Sequence, residues 1–259
     1  MIEANSIWIL LALCMEGFFM EWTRAVAIGL LFILFVATIR LLGDFSPQDK
    51  PNRIRFMSRI GVFGAMAAIL YAVPVFKFPV PFFPSFLEFH FDEIPAFIAG
   101  FAYGPFAGFS VVAIKTVLKL MFDGTRTMFV GELTDLVLSS IYVVVAAIVY
   151  QKKRTLKGAG LGFLIATAIQ IVAAMVLNVY VIIPFYTHAM GYLPEDLLYL
   201  MTKAVPAIKD VGWSYALLAV LPFNAMKDGI VIVVTFLVYR SVHKLFRIDA
   251  PRRKKRTGR

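Results

Sequence analysis

Long runs of apolar side chains recur along this chain, and they decide which solvent it can fold in. They occupy residues 25–42, 60–76, 130–150, 159–187 and 215–239. A helix rising 1.5 Å per residue needs about 20 apolar residues to cross ~30 Å of hydrocarbon. Lipid offers the backbone no hydrogen-bond partners, so runs of this length are readable only as helices. Composition agrees: 60% of residues are hydrophobic, 16% are charged and the mean hydropathy is +0.81, whereas a soluble domain carries ~25% charged residues. The expected fold class is an all-α integral membrane protein, one bundle with no second soluble domain. A single cysteine, Cys14, excludes an internal disulfide and a cysteine-held metal or iron–sulfur cluster. No basic segment precedes the first apolar run, so a cleaved signal peptide is not expected.

Charge sets the orientation. Eighteen of the 26 Lys and Arg fall in three segments, 40–59, 152–157 and 240–259. The positive-inside rule puts all three on the cytoplasmic side, which requires an even number of crossings between each pair. Two runs separate the second segment from the third. Between the first and second lie 60–76, 94–122 and 130–150, so the count is even only if 94–122 folds back at Gly104-Pro105. The expected core is therefore six helices with both ends inside and external loops at 77–93, 123–129 and 188–214. This divides the chain into an extra N-terminal hydrophobic helix or helices (1–45), a basic cytoplasmic linker (46–59), a six-helix membrane core (60–246) and a basic cytoplasmic tail (247–259). Residues 5–20 are apolar but short and interrupted by Glu16; a half-helix, an interfacial helix and a further span all remain open. The tail reads as an anchor beside anionic lipid rather than as a nucleic-acid arm.

Polar groups at membrane depth are costly and mark function, or else act as glue between helices. Asn224 and Lys227 stand three apart in Leu-Pro-Phe-Asn-Ala-Met-Lys (221–227), on one helical face. An amide and an ammonium suit an imide or carbonyl edge of a heterocycle, or an anionic group; the alternative is a lysine snorkelling to an interface. Asn178 lies in the preceding apolar run, followed by Tyr180 and Tyr186, and both runs lead to the same external loop. Glu132 and Asp135 are one turn apart. They suit a structural ion pair with Lys115 and Lys119, spaced i,i+4, or alternatively metal binding or proton relay.

The loop 77–93 carries Pro79, Pro81 and Pro84 and six phenylalanines. Proline disfavours regular pairing, and this much phenylalanine belongs against the bundle, as a lid over a small-molecule pocket. His90 within it reads as a packing residue. Around 123–135 the chain has a superficial likeness to the signature of membrane phosphatidyltransferases, but Leu120, Thr127 and Met128 stand where its Asp and Ala-Arg are needed; a glycine-containing external turn is expected instead. Gly61, Gly64, Ala65, Ala68 and Ala72 form a small-residue stripe that lets another helix approach closely. No phosphate-binding P-loop sequence occurs, so any ATPase is another chain.

The run Phe91-Asp-Glu-Ile-Pro-Ala to Gly108, together with Lys115, Gly131-Glu132-Leu133, the Leu-Asn-Val-Tyr of 177–180 and Pro-Phe-Asn-Ala-Met-Lys of 222–227, resembles the RibU family. These are the riboflavin-specific substrate-binding (S) subunits of energy-coupling factor (ECF) transporters, and the likeness covers about 56–246. It implies a six-helix S-component bundle that captures riboflavin from outside, and the additional N-terminal helix of 1–45 is extra to the family. It also implies partners, a transmembrane coupling subunit and two ATPase subunits, and delivery by toppling in the cell membrane. Asn178, Asn224 and Lys227 would hydrogen-bond the isoalloxazine, Leu87 and Glu88 would be lid contacts, and Tyr180 and Glu132 would be further substrate contacts. Gly61, Gly64, Ala65, Ala68 and Ala72 would dock the coupling subunit. His90 and Asp135 replace an acidic residue and an amide usual in the family, and the 188–214 loop is longer.

The expected protein is thus a multi-pass vitamin-capture subunit with a cytoplasmic C-terminus, no catalytic activity, no metal, no cofactor, no ATP site and no nucleic-acid partner. Three alternatives stand beside it. One is the same architecture for another vitamin or a flavin phosphate; the second is an integral-membrane lipid-modifying enzyme using Glu132, Asp135 and a metal; the third is a purely structural membrane partner that uses the small-residue stripe.

Overall fold

The computed structural model describes residues 50–84 and 86–247. The expectations for 1–45, for the first part of the basic linker and for the tail beyond 247 lie outside the described residues. The elements run α1 (Lys50–Ala72), a short 3-10 turn (Pro74–Phe76), β1 (Phe78–Pro79), β2 (Glu88–Phe89), α2 (Glu93–Tyr103), α3 (Pro105–Phe122) and α4 (Val130–Lys152). Then come α5 (Leu156–Leu177), a π turn (Asn178–Ile182), α6 (Ile183–His188), α7 (Pro194–Ala204), α8 (Trp213–Tyr215), a second π turn (Ala216–Val220) and α9 (Leu221–Arg247). Five helical stretches among the described residues are long and apolar enough to cross a membrane: 54–72, 105–122, 130–152, 156–188 and 213–238. At 11 residues, α2 is shorter than a span.

The apolar stretch 94–122 is cut where the charge count requires it. Gly104 has φ +107° and ψ 167°, a conformation that glycine adopts without a Cβ clash, and Pro105 then opens α3 with its φ already helical. The two arms meet through glycines: a Cβ on Gly108 would lie 3.2 Å from Gly100 Cα and 2.6 Å from Val143 Cγ1. A small-residue contact of this kind lets α2, α3 and α4 approach at backbone distance. Beneath it sits an aromatic core. The Phe97 ring meets Tyr142 edge-on at 4.7 Å and Phe163 at 4.8 Å, and Phe101 packs on Tyr150 at 4.7 Å.

The loop between α1 and α2 folds back onto the bundle. Phe83 meets Phe223 of α9 at 5.4 Å, and the Tyr71 ring of α1 meets His90 at 4.8 Å. Contrary to the expectation of an unpaired path, Phe78 pairs with Phe89 and Pro79 with Glu88 in a two-residue antiparallel ladder. It tolerates Pro79 because a strand this short has a free edge where the missing N–H is not needed.

Both π turns have a local cause. Pro184 and Pro222 lack the N–H that the carbonyls of Tyr180 and Leu218, four residues earlier, would accept. In each case the helix widens through the preceding five residues. Turns of this kind gather at functional sites, and here they lie beside Asn178 and Asn224.

Candidate functional site

A cavity of about 320 Å³ opens under the lid, within the size range of small-molecule sites. The lid contributes Phe86, Leu87, Glu88 and His90; α4 contributes Gly131, Glu132 and Asp135; the long helices contribute Asn178 and Asn224. Five of the seven expected substrate residues therefore converge: Leu87, Glu88, Glu132, Asn178 and Asn224. Lys227 is not on the cavity wall. It lies one turn below Asn224, buried, with Nζ 2.6 Å from Glu93 Oε1. Tyr180 lines a separate cavity of about 250 Å³ with His188 and Val211, its ring 6.0 Å from that of Trp213.

The two amides are fixed in the same sense. Asn178 Nδ2 donates to the Ala174 carbonyl at 2.8 Å, and Asn224 Nδ2 donates to the Val220 carbonyl at 2.8 Å. A carbonyl only accepts, so these contacts identify the nitrogen of each amide without ambiguity. The oxygens then take donors from elsewhere: Gln170 Nε2 at 3.0 Å for Asn224, and the Tyr215 hydroxyl at 3.3 Å for Asn178. Each amide keeps one N–H and one oxygen lone pair for a ligand.

The carboxylates of α4 are already matched. Glu132 accepts from Lys119 Nζ at 2.5 Å and from the hydroxyls of Thr125 at 2.9 Å and Thr127 at 3.1 Å. Asp135 lies 3.0 Å from Lys115 Nζ and accepts from Ser139 at 3.3 Å. Lys115 also pairs with Asp92 and sits 4.9 Å from the Tyr71 ring centre. His90 Nδ1 contacts Asp92, and burial together with the Lys227 ammonium pushes its pKa down to about 4. His90, Asp92 and Glu93 bring ligand atoms close enough for a metal ion, yet Asp92 and Glu93 already pair with Lys115, which Asp92 shares with Asp135, and with Lys227.

Sequence reasoning passed over Gln170, Tyr215, Glu93 and Asp228. Gln170, Glu93 and Asp228 are polar groups in or beside apolar runs, the same signal that singled out Asn178 and Asn224. On α1 the small-residue stripe divides. Gly64 and Ala68 are buried, and a Cβ on Gly64 would lie 2.5 Å from Ile114 Cγ2. Gly61 and Ala65 face outward, with nothing among the described residues within 4 Å of a Cβ built on Gly61.

A family model described as the ECF transporter substrate-specific component matches residues 55–239. The riboflavin transporter FmnP of Bacillus subtilis (strain 168) is 30% identical over 182 residues, covering 70% of this chain and 88% of that one. The riboflavin transporter RibU of Staphylococcus aureus (strain TCH60) is 26% identical over 182 residues, with the same coverage. RibU of Lactococcus lactis subsp. cremoris (strain NZ9000) is 27% identical over 192 residues, covering 72% and 92%. A solved S component of a bacterial ECF transporter superposes with a TM-score of 0.58 at 24% identity, covering 75% of this chain and 99% of that one, which supports the fold.

Proposed function

The chain belongs to the ECF transporter substrate-specific components, and we propose that it captures riboflavin from the extracellular side of the cell membrane. It then delivers the vitamin with a coupling subunit and two ATPase subunits. The observation that carries this reading is the convergence of Asn178 and Asn224 under an aromatic lid. Riboflavin has a flat aromatic body and a pyrimidine edge with both donors and acceptors. The rings of Tyr71, Phe86, Tyr186 and Phe223 line the cavity and suit the body. The free N–H and lone pair of each amide suit the edge, with a net ~0.5–1.5 kcal/mol from each bond. Lys227 lies a turn deeper and reaches the ring edge by exchanging its contact with Glu93.

In this reading the six-helix core is completed by α2 as a short arm of a hairpin with α3. The exposed Gly61 and Ala65 form the part of the α1 stripe that meets the coupling subunit, while Gly64 and Ala68 hold α1 to the bundle. Leu87 and Glu88 close over the ligand, Glu132 holds the wall through Lys119, and Tyr180 supports the neighbouring loop. The family's role is substrate capture, and the lysine pairing of Glu132 and Asp135 speaks against a metal-dependent lipid enzyme.

The test is direct. Riboflavin added to the purified chain should lose its fluorescence on binding, with sub-micromolar affinity, and protein from riboflavin-containing cells should be yellow. Colourless protein that leaves the fluorescence untouched at micromolar concentration sinks the riboflavin reading. Tighter binding of flavin mononucleotide than of riboflavin would shift the ligand to the phosphate.

A further inference from the structure

Asp228 is buried completely, and among the described residues neither of its carboxyl oxygens has a hydrogen-bond partner at ordinary geometry, although the Thr167 hydroxyl and the Lys227 ammonium both act on it. Among the described residues the other carboxylates within the bundle each touch a lysine: Glu93 pairs with Lys227, Glu132 with Lys119, and Asp92 and Asp135 share Lys115. Lys227, next to Asp228 in sequence, gives its ammonium to Glu93 on α2. The groups that face Asp228 from other elements bring it no further positive charge. Glu93 is itself an acid, Thr167 on α5 directs its hydroxyl to Tyr142 at 3.4 Å, and Tyr142 on α4 directs its own to the Asp228 main-chain carbonyl at 3.4 Å.

A bare carboxylate in an apolar interior is so unfavourable that such groups take up a proton instead. A hard divalent cation needs about six oxygen ligands, and Asp228 supplies two with no convergent set around it. We propose that Asp228 is a proton site: its carboxyl is held as the neutral acid inside the bundle, while Glu93 keeps the Lys227 ammonium. The proton is taken from hydronium: one hydronium O–H bond breaks to leave water as the carboxyl O–H forms. One consequence, which rests on Lys227 being a ligand contact, is that a ligand need compete with only one acid for its ammonium.

Infrared spectroscopy of the ligand-free chain, in a detergent without ester groups at neutral pH, tests this independently of riboflavin binding. The carbonyl stretch of a protonated carboxylic acid should be present, should move when aspartate is labelled at its carboxyl carbon, and should vanish in Asp228→Asn but persist in Asp135→Asn. Absence of the band, its survival in Asp228→Asn, or its movement with labelled glutamate instead would overturn the proposal. If Asp228→Asn does not fold, Asp228→Glu takes its place: the band should then move with labelled glutamate and no longer with labelled aspartate, and a band that still follows aspartate would overturn the proposal. A band that disappears when sodium is added would make this a sodium site and equally overturn it.

Discussion

Single side chains in this cavity are held by neighbours that fix what they can offer. Asn224 donates downward to Val220 and accepts from Gln170, which leaves one N–H and one lone pair for a ligand. Truncation removes both, and it strands Gln170 in a buried environment as well. Asn224→Ala and Lys227→Ala are each expected to weaken riboflavin binding by about tenfold or more, a scale of ~1.4 kcal/mol. Fluorescence titration of folded, monodisperse variants checks this, and unchanged affinity in both would make the two residues helix glue. What the sequence makes legible at this scale is the presence of expensive polar groups in apolar runs: Asn178, Asn224 and Lys227 are readable because lipid makes them so. Their partners are not, because Gln170 lies 54 residues from Asn224 and Tyr215 lies 37 from Asn178. Tyr180 illustrates the converse. Two residues along a helix from Asn178, it cannot share that residue's face, and it sits in another cavity.

Between residue and bundle, the α2–α3 hairpin carries the most sequence-legible piece of architecture. The bend at Gly104-Pro105 follows from a count of crossings and from the chemistry of the dipeptide, and its geometry agrees. The closeness of the arms is less legible, since only coordinates show Gly108 set against both Gly100 and Val143. Gly108→Val is expected to destabilise the protein by about 1–3 kcal/mol through overpacking. Gly160→Ala, where an added Cβ meets nothing among the described residues within 4 Å, should leave stability unchanged or slightly raised through helix propensity. Thermal unfolding in one detergent compares the pair; equal midpoints would mean that the hairpin is looser than drawn. The π turns lie beyond sequence reading in another way. Pro184 and Pro222 announce a disturbed helix, but kink, break and widening all satisfy a missing N–H. The proline alone does not choose among them, and the widening that the fold adopts lies beside both amides.

For the molecule as a whole, the cavity's position and the charge distribution have to agree. The α4 helix begins at the cavity wall with Gly131 and Glu132 and ends at Lys152. A helix of 23 residues is about 34 Å long at 1.5 Å per residue, enough to put these ends on opposite membrane faces. The positive-inside rule expects Lys152, Lys153, Arg154 and Lys157 on the cytoplasmic face, and the proposed reading then requires the lid and the 123–129 turn to open to the outside. In a Cys14→Ser background, Arg126→Cys is expected to react with a membrane-impermeant thiol reagent added to intact cells. Lys157→Cys should react only once the membrane is opened. Arg126 suits the probe because its side chain is 80% exposed at the cavity rim and its pairing with Asp123, at 3.9 Å, is slack; surface pairs of this kind contribute ~0–1 kcal/mol, so the substitution leaves the fold in place. Labelling in the reverse order would point the cavity at the cytoplasm. An importer cannot collect its vitamin there, so capture from outside would fail even if riboflavin itself still bound.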